Sequence, residues 1–200
     1  MVYVTNSSVT PVRIMGIDPG IAATGWGVIE HRSGRSRLVE HGVITTSYRS
    51  APHARLSQIY AGVTAVIDRH EPDGAAIEEL FGGINLKTAL AVGQARGVAV
   101  LACGERGVVP HDYTALRIKQ AVAGYGHAGK EQVQQMVKVL LCLPRIPTPD
   151  HAADALAVAL CHVHSMRLTN GVRAGGAAAT AGNSGGRPAR SRPVATKGRT

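Results

Sequence analysis

Apolar positions change their period several times along this chain, and each change marks an element. Val12 to Ile17 is a short apolar run closed by Asp18 and then Pro19-Gly20, the pattern of a buried strand ending in a turn. Thr24 to Glu30 resumes with Trp26, Val28 and Ile29, and Arg37 to Thr46 forms a third such run, so the opening predicts an antiparallel meander. From Ala51 to His70, Leu56, Ile59, Tyr60, Val63, Val66 and Ile67 recur at intervals of three and four, which predicts an amphipathic helix stopped near Pro72. Ala75 to Leu80 reads as a fourth strand, Asn85 to Arg106 as a long helix, Val108 to His111 as a fifth strand and Ala115 to Val122 as a short helix. Beyond a Gly-rich loop, Ala123 to Gly129, Val133, Met136, Val137, Leu140 and Leu141 mark another helix that ends before Pro144. Thr148-Pro149 then supplies an N-cap and a proline at the first helical position, opening a last helix from about Asp150 to Met166.

Three meandering strands followed by strands separated by helices predict an α/β fold: a mixed five-stranded sheet, three antiparallel strands then parallel ones, with helices on both faces. In such a sheet the first and fourth strands can lie side by side and parallel. Asp18 and Glu78 would then sit at neighbouring carboxyl ends, where open α/β sheets build their sites.

Composition adds one feature to this picture. The formal charge is +9, but six basic residues and no acidic one lie from Asn170 onward, leaving +3 for the rest. The stretch 169–200, rich in Gly, Ala and Arg, is too poor in large apolar side chains to offset its ordering entropy and reads as a disordered basic tail suited to phosphate contact. Residues 1–11 read as a flexible lead-in, leaving 12–168 as one domain with a real core. No apolar run approaches a membrane span and no charged segment precedes an apolar one at the start, so a cytoplasmic protein with no membrane partner is expected. Cys103, Cys142 and Cys161 share no CxxC spacing and fit buried thiols in a reducing compartment. Cys161-His162-Val163-His164 lacks a second ligand pair, so no zinc site is expected there.

The candidate chemistry lies at three separated points: Asp18, Glu78, and the pair His151 and Asp154. A carboxylate at the end of an apolar strand is costly to bury unless something positive meets it, and a divalent cation does so where no Lys or Arg stands beside it. Asp18 is also a natural turn residue before Pro-Gly, and Glu78 and Glu79 compete, because successive strand side chains face opposite ways. Asp154 stands about two turns inside a helix, where Asp is a poor helix former and too far from the helix start to complement its dipole. Asp150, in the first turn, is accounted for by that dipole. His151 and Asp154 are three apart and share a face. Oxygen-rich sites of this kind favour magnesium or manganese and suit phosphodiester hydrolysis. Gly124 to Lys130 is a weak phosphate-loop match, since Glu131 follows the lysine and no strand precedes the loop.

Five segments in order resemble the RuvC family of Holliday junction resolvases, which have a ribonuclease H-like fold: Gly16-Ile17-Asp18-Pro19-Gly20 with Thr24-Gly25; Ala76-Ile77-Glu78 with Phe81; Gly93-Gln94-Ala95-Arg96-Gly97; Ile118-Lys119-Gln120; and Ala152-Ala153-Asp154-Ala155-Leu156-Ala157. The resemblance spans roughly Val12 to Met166. It implies that Asp18, Glu78 and Asp154 are metal-binding catalytic carboxylates and selects Glu78 over Glu79. The family's fourth position, often Asp, falls on His151, which would bind metal or handle the proton of the attacking water. Phe81 matches an aromatic that stacks on junction bases, and Lys119 and Lys130 match lysines near the scissile phosphate. The resemblance further implies Mg2+, with Mn2+ able to substitute and two ions per site during catalysis. It implies a homodimer using the region of the long helix, and cooperation with the RuvA and RuvB branch-migration proteins. The expected activity is resolution of four-way junction DNA, in recombination and repair, by paired symmetric nicks in strands of like polarity, leaving 5′-phosphate and 3′-hydroxyl ends. Three rival readings are an actin-like ATPase or sugar kinase, which needs two such domains where this chain has room for one; a noncatalytic junction-binding protein, which would lack a carboxylate; and the related nuclease acting on ribosomal RNA precursors.

Overall fold

A computed structural model describes residues 10–79 and 85–180, with side chains to Met166. The elements run β1 (Val12–Asp18), β2 (Ala23–Arg32), β3 (Arg35–Thr45), α1 (Pro52–His70), β4 (Gly74–Glu78), α2 (Leu86–Glu105), β5 (Pro110–Tyr113), α3 (Ala115–Ala123), α4 (Lys130–Leu140) and α5 (Asp150–Thr180). Nine residues of the expected lead-in, Phe81, and the tail beyond Thr180 lie outside the described residues.

The strands form one sheet in the order β3-β2-β1-β4-β5. β1 pairs antiparallel with β2, and β2 with β3; β1 and β4 are parallel, as are β4 and β5. Ile17 is opposite Ile77, so the next residues, Asp18 and Glu78, leave the sheet side by side at the carboxyl edge.

Alternation along the strands sorts the core into two halves. Met15, Ile17, Ala75 and Ile77 pack with Ile59, Val63 and Ile67 of α1 and Ala95, Ala99 and Ala102 of α2. Ile14 and Ala76 pack on the other face with Ile118 and Val122 of α3, Val133 and Val137 of α4, and Leu156 to Val163 of α5. Each fully buried Ile, Leu or Val contributes roughly 1.5–3 kcal/mol, and both faces need such cover because the central strands are apolar throughout. α5 is buried nearly all round from Ala152 to Val163, where it packs in one cluster with the sheet and with residues of α3 and α4.

Several local expectations shift. β5 begins at Pro110 and ends at Tyr113, later than Val108 to His111, because pairing of Ala75 to Glu78 with Pro110 to Tyr113 sets its register rather than the apolar Val108-Val109. Pro149 stands before the first residue of α5, and its carbonyl accepts from the Ala152 N–H at 2.9 Å. α5 is helical to Thr180, while a separate unit begins at Arg167. Cys103 and Cys161 are buried, but Cys142 is exposed in the turn after α4, where its φ is 52°. His162 donates to or accepts from the Tyr113 hydroxyl through Nδ1 at 2.8 Å, and His164 Nδ1 meets the Ala121 carbonyl at 2.8 Å, so the two imidazoles serve different neighbours. Among the described residues α2 alone is long and apolar enough to cross a membrane; Ala95, Ala99, Ala102 and Cys103 pack it onto the fold.

Candidate metal centre and nucleic-acid cleft

The site is built where α5 crosses the carboxyl edge of β1 and the start of β2. Close approach makes this crossing possible. A Cβ on Gly16 would stand 1.9 Å from the Ala155 carbonyl oxygen, and one on Gly25 the same distance from that of His151. Gly25 is also the register partner of Asp18. The bare backbone at these positions lets the first turns of α5 rest directly on the sheet, which brings His151 and Asp154 to the end of β1. On the β1 side, Thr24, fully buried, donates to the Gly20 carbonyl at 2.8 Å and pins the Pro19-Gly20 turn that follows Asp18. Arg55 of α1 braces the same loop, donating to the Ile21 carbonyl and to Thr46 Oγ1.

Ligand atoms of Asp18, His151 and Asp154 all lie within 4.8 Å of one another. His151 Nδ1 meets Asp18 Oδ2 at 2.7 Å. Glu78 is outside that trio but faces the same side: it shares strand parity with Ala76, which packs beneath α5, whereas Glu79 has the parity of Ile77 on the α1 and α2 face. Glu78, Asp154, Lys119 and Lys130 line one cavity of about 280 Å³ together with Ala115, Ile118, Val133 and Ala157. Asp154 belongs to both groups and joins them.

Lys130, the first residue of α4, reaches Asp154 Oδ2 and Asp150 Oδ2, each at 3.2 Å. Burial pushes the Glu78 carboxyl up to about 7, with the charges of Asp18 and Asp154 adding and those of Lys119 and Lys130 opposing. Burial also raises Asp154, although its hydrogen bond to Lys130 pulls the other way. The lysines therefore leave negative charge uncompensated. A hard divalent cation fits the donor set of carboxylate oxygens and one imidazole, and it would offset the burial, and the smaller repulsion from Asp18 and Asp154, that raise Glu78.

Of the predicted site residues, Asp18, His151 and Asp154 converge, Glu78 stands on the adjoining strand end, and Lys119 and Lys130 face the cavity. Phe81 lies outside the described residues. Sequence reasoning missed the Lys130 pairing with Asp150, which no spacing signals because the two are on different helices, and missed Thr24 and Arg55 as braces. Gly25 stood within a quoted motif, but nothing local revealed that a helix presses on it.

Residues 14–162 match the family model described as crossover junction endodeoxyribonuclease RuvC. The RuvC of Chloroflexus aurantiacus is 53% identical over 154 residues, 77% of this chain and 94% of that protein. That of Pelotomaculum thermopropionicum is 53% identical over 151 residues, 76% of this chain and 92% of its own. Among solved structures, Thermus thermophilus RuvC in complex with Holliday junction substrate superposes with a TM-score of 0.76 at 39% identity, covering 79% of this chain and 96% of that one. The yeast mitochondrial resolvase Ydc2, 11% identical with a TM-score of 0.57, shares the fold. With its ribonuclease H-like sheet, its cluster of acids at the β1 and β4 ends and relatives of this identity along nearly their whole length, the chain belongs to the RuvC family of crossover junction endodeoxyribonucleases.

Proposed function

We propose that this chain resolves four-way DNA junctions by metal-dependent hydrolysis, with Asp18, Glu78, His151 and Asp154 holding Mg2+ and with Mn2+ able to substitute. The observation that carries this reading is the convergence of two acids and an imidazole, Asp18, Asp154 and His151, beside a cavity that Asp154 shares with Glu78 and two lysines. When bound, the cations, two during catalysis, supply Lewis acidity toward the phosphoryl oxygens and the attacking water. The chain's own groups do the rest. Asp18 holds the His151 ring through Nδ1, leaving Nε2 as the nitrogen free to bind metal or to take a proton. Lys119 and Lys130 attract the phosphate into the cavity and stabilise the charge that builds on it. Phe81 stacks on bases at the exchange point. Hydrolysis at the phosphate leaves a 5′-phosphate and a 3′-hydroxyl.

Paired symmetric nicks require two active sites related by a twofold axis. The exposed apolar side chains Leu86, Leu90 and Leu101 on α2 support that helix as the dimer surface, since a monomer in water gains nothing from displaying them. Family membership supports cooperation with RuvA and RuvB and a cytoplasmic setting.

The test is a synthetic mobile four-way junction incubated with wild type and Asp18→Asn, with and without Mg2+, and with cut positions mapped to the nucleotide. Symmetric nicks are expected only with wild type and metal, and Asp18→Asn should lose at least about 10³-fold in rate while still retarding the junction in a gel. Preferential cutting of a ribosomal RNA precursor over the junction would overturn the substrate assignment.

A further inference from the structure

Lys130 has two acidic partners on α5, and only one of them belongs to the metal-ligating trio. Asp150 and Asp154 are four residues apart, so they lie on one face of α5, and the ammonium sits 3.2 Å from an oxygen of each. The surroundings of the two acids differ. Asp154 is half-buried and shares the cavity with Glu78, whereas Asp150 does not line the cavity and has two thirds of its side chain exposed. A cation held by Asp154 and the Lys130 ammonium claim the same carboxylate and repel each other. With no second anchor, the ammonium would either compete with the cation for Asp154 or move out into water, away from the phosphate.

We propose that Asp150 is a positioning residue that keeps the Lys130 ammonium at the cavity wall when Asp154 engages a divalent cation. This rests on the reading of Asp154 as a metal ligand. The lysine then presents its charge to the phosphate without weakening metal binding. The first-turn dipole accounts for an acid at this place, but it does not account for the direct pairing with a cavity lysine carried by another helix.

A double-mutant cycle with a metal readout tests it. Mn2+ affinity is measured by titration calorimetry on the full chain for wild type, Asp150→Asn, Lys130→Met, the double variant and Asp154→Asn, and turnover of a four-way junction is measured in parallel. Asp150→Asn should weaken Mn2+ binding by about three- to tenfold, because the lysine falls back on Asp154, and should lower kcat more than it raises KM. In the Lys130→Met background the same substitution should change Mn2+ affinity by less than about twofold. Asp150→Glu, which keeps the second anchor, should restore both quantities toward wild type. An equal loss from Asp150→Asn in both backgrounds would show that Asp150 acts only as a nearby charge and would overturn the proposal while leaving the metal site intact. Unchanged Mn2+ binding in Asp154→Asn would overturn both the proposal and the metal-site reading beneath it.

Discussion

Burial and two neighbouring carboxylates hold Glu78 up to about 7, so a cation binding below that pH must first displace a proton. A carboxyl whose folded pKa is raised stabilises the fold below its unfolded value of 4.5, and that contribution is lost as pH rises through about 7. Above pH 7 the ionised group strains the metal-free protein and awaits a cation. Nicking at limiting Mg2+ should therefore climb up to about tenfold per pH unit below 7 and level off above it, and Mg2+ should raise the melting temperature more at pH 8 than at pH 6. Glu78→Gln should abolish the pH dependence of the thermal shift. His151 answers a separate question at the same scale. His151→Ala should cut the nicking rate by about 10²-fold or more with junction binding retained in a gel shift, and should reduce the preference for Mn2+ that an imidazole ligand brings. Full activity of that variant would remove His151 from the site. The three acids and the histidine were legible as candidates from local context: two strand-end carboxylates, and an aspartate in an alanine-rich helix where neither propensity nor dipole explains it, with His151 three residues before it.

At the scale of elements, the seat of α5 on β1 and β2 governs whether those residues meet. Gly25→Ala would drive a methyl group into the His151 carbonyl at 1.9 Å, with no flexible side chain to yield, and should cost about 1–3 kcal/mol while moving His151 and Asp154 away from Asp18. Gly104→Ala, where a Cβ meets nothing within 4 Å, serves as a control and should leave the melting temperature unchanged or slightly higher. Thermal unfolding of the two variants, with Mn2+ titration, separates the effects: loss of metal affinity is expected only for Gly25→Ala. Helices with long apolar periods, α1 above all, were legible because their own pattern specifies a buried face. β5 was less so: its strand is polar, starts with proline and takes its limits from backbone pairing with β4, a partner more than thirty residues away. A side-chain ion pair, Arg96 to Asp112 at 2.5 Å, also links α2 to β5.

At the scale of the whole molecule, the proposed pairing of two sites rests on the exposed Leu86, Leu90 and Leu101 of α2. Leu90→Glu should shift the protein toward monomer in sedimentation velocity and replace paired nicks by uncorrelated single ones, with each site still able to bind Mn2+. Paired nicking by a demonstrated monomer would remove α2 from that role. The order of elements, the mixed sheet and the strand-end acids could be read from the chain, because hydrophobic period and local turn chemistry are properties of neighbouring residues, and the family was legible from the resemblance of five motifs in order. Tertiary structure alone decided that Lys130 bridges Asp150 and Asp154 and that Gly16 and Gly25 let a helix lie against the sheet. Each of these depends on which face of an element meets which partner, and on distances between residues far apart in sequence, so the physical cause lies in packing rather than in any local pattern.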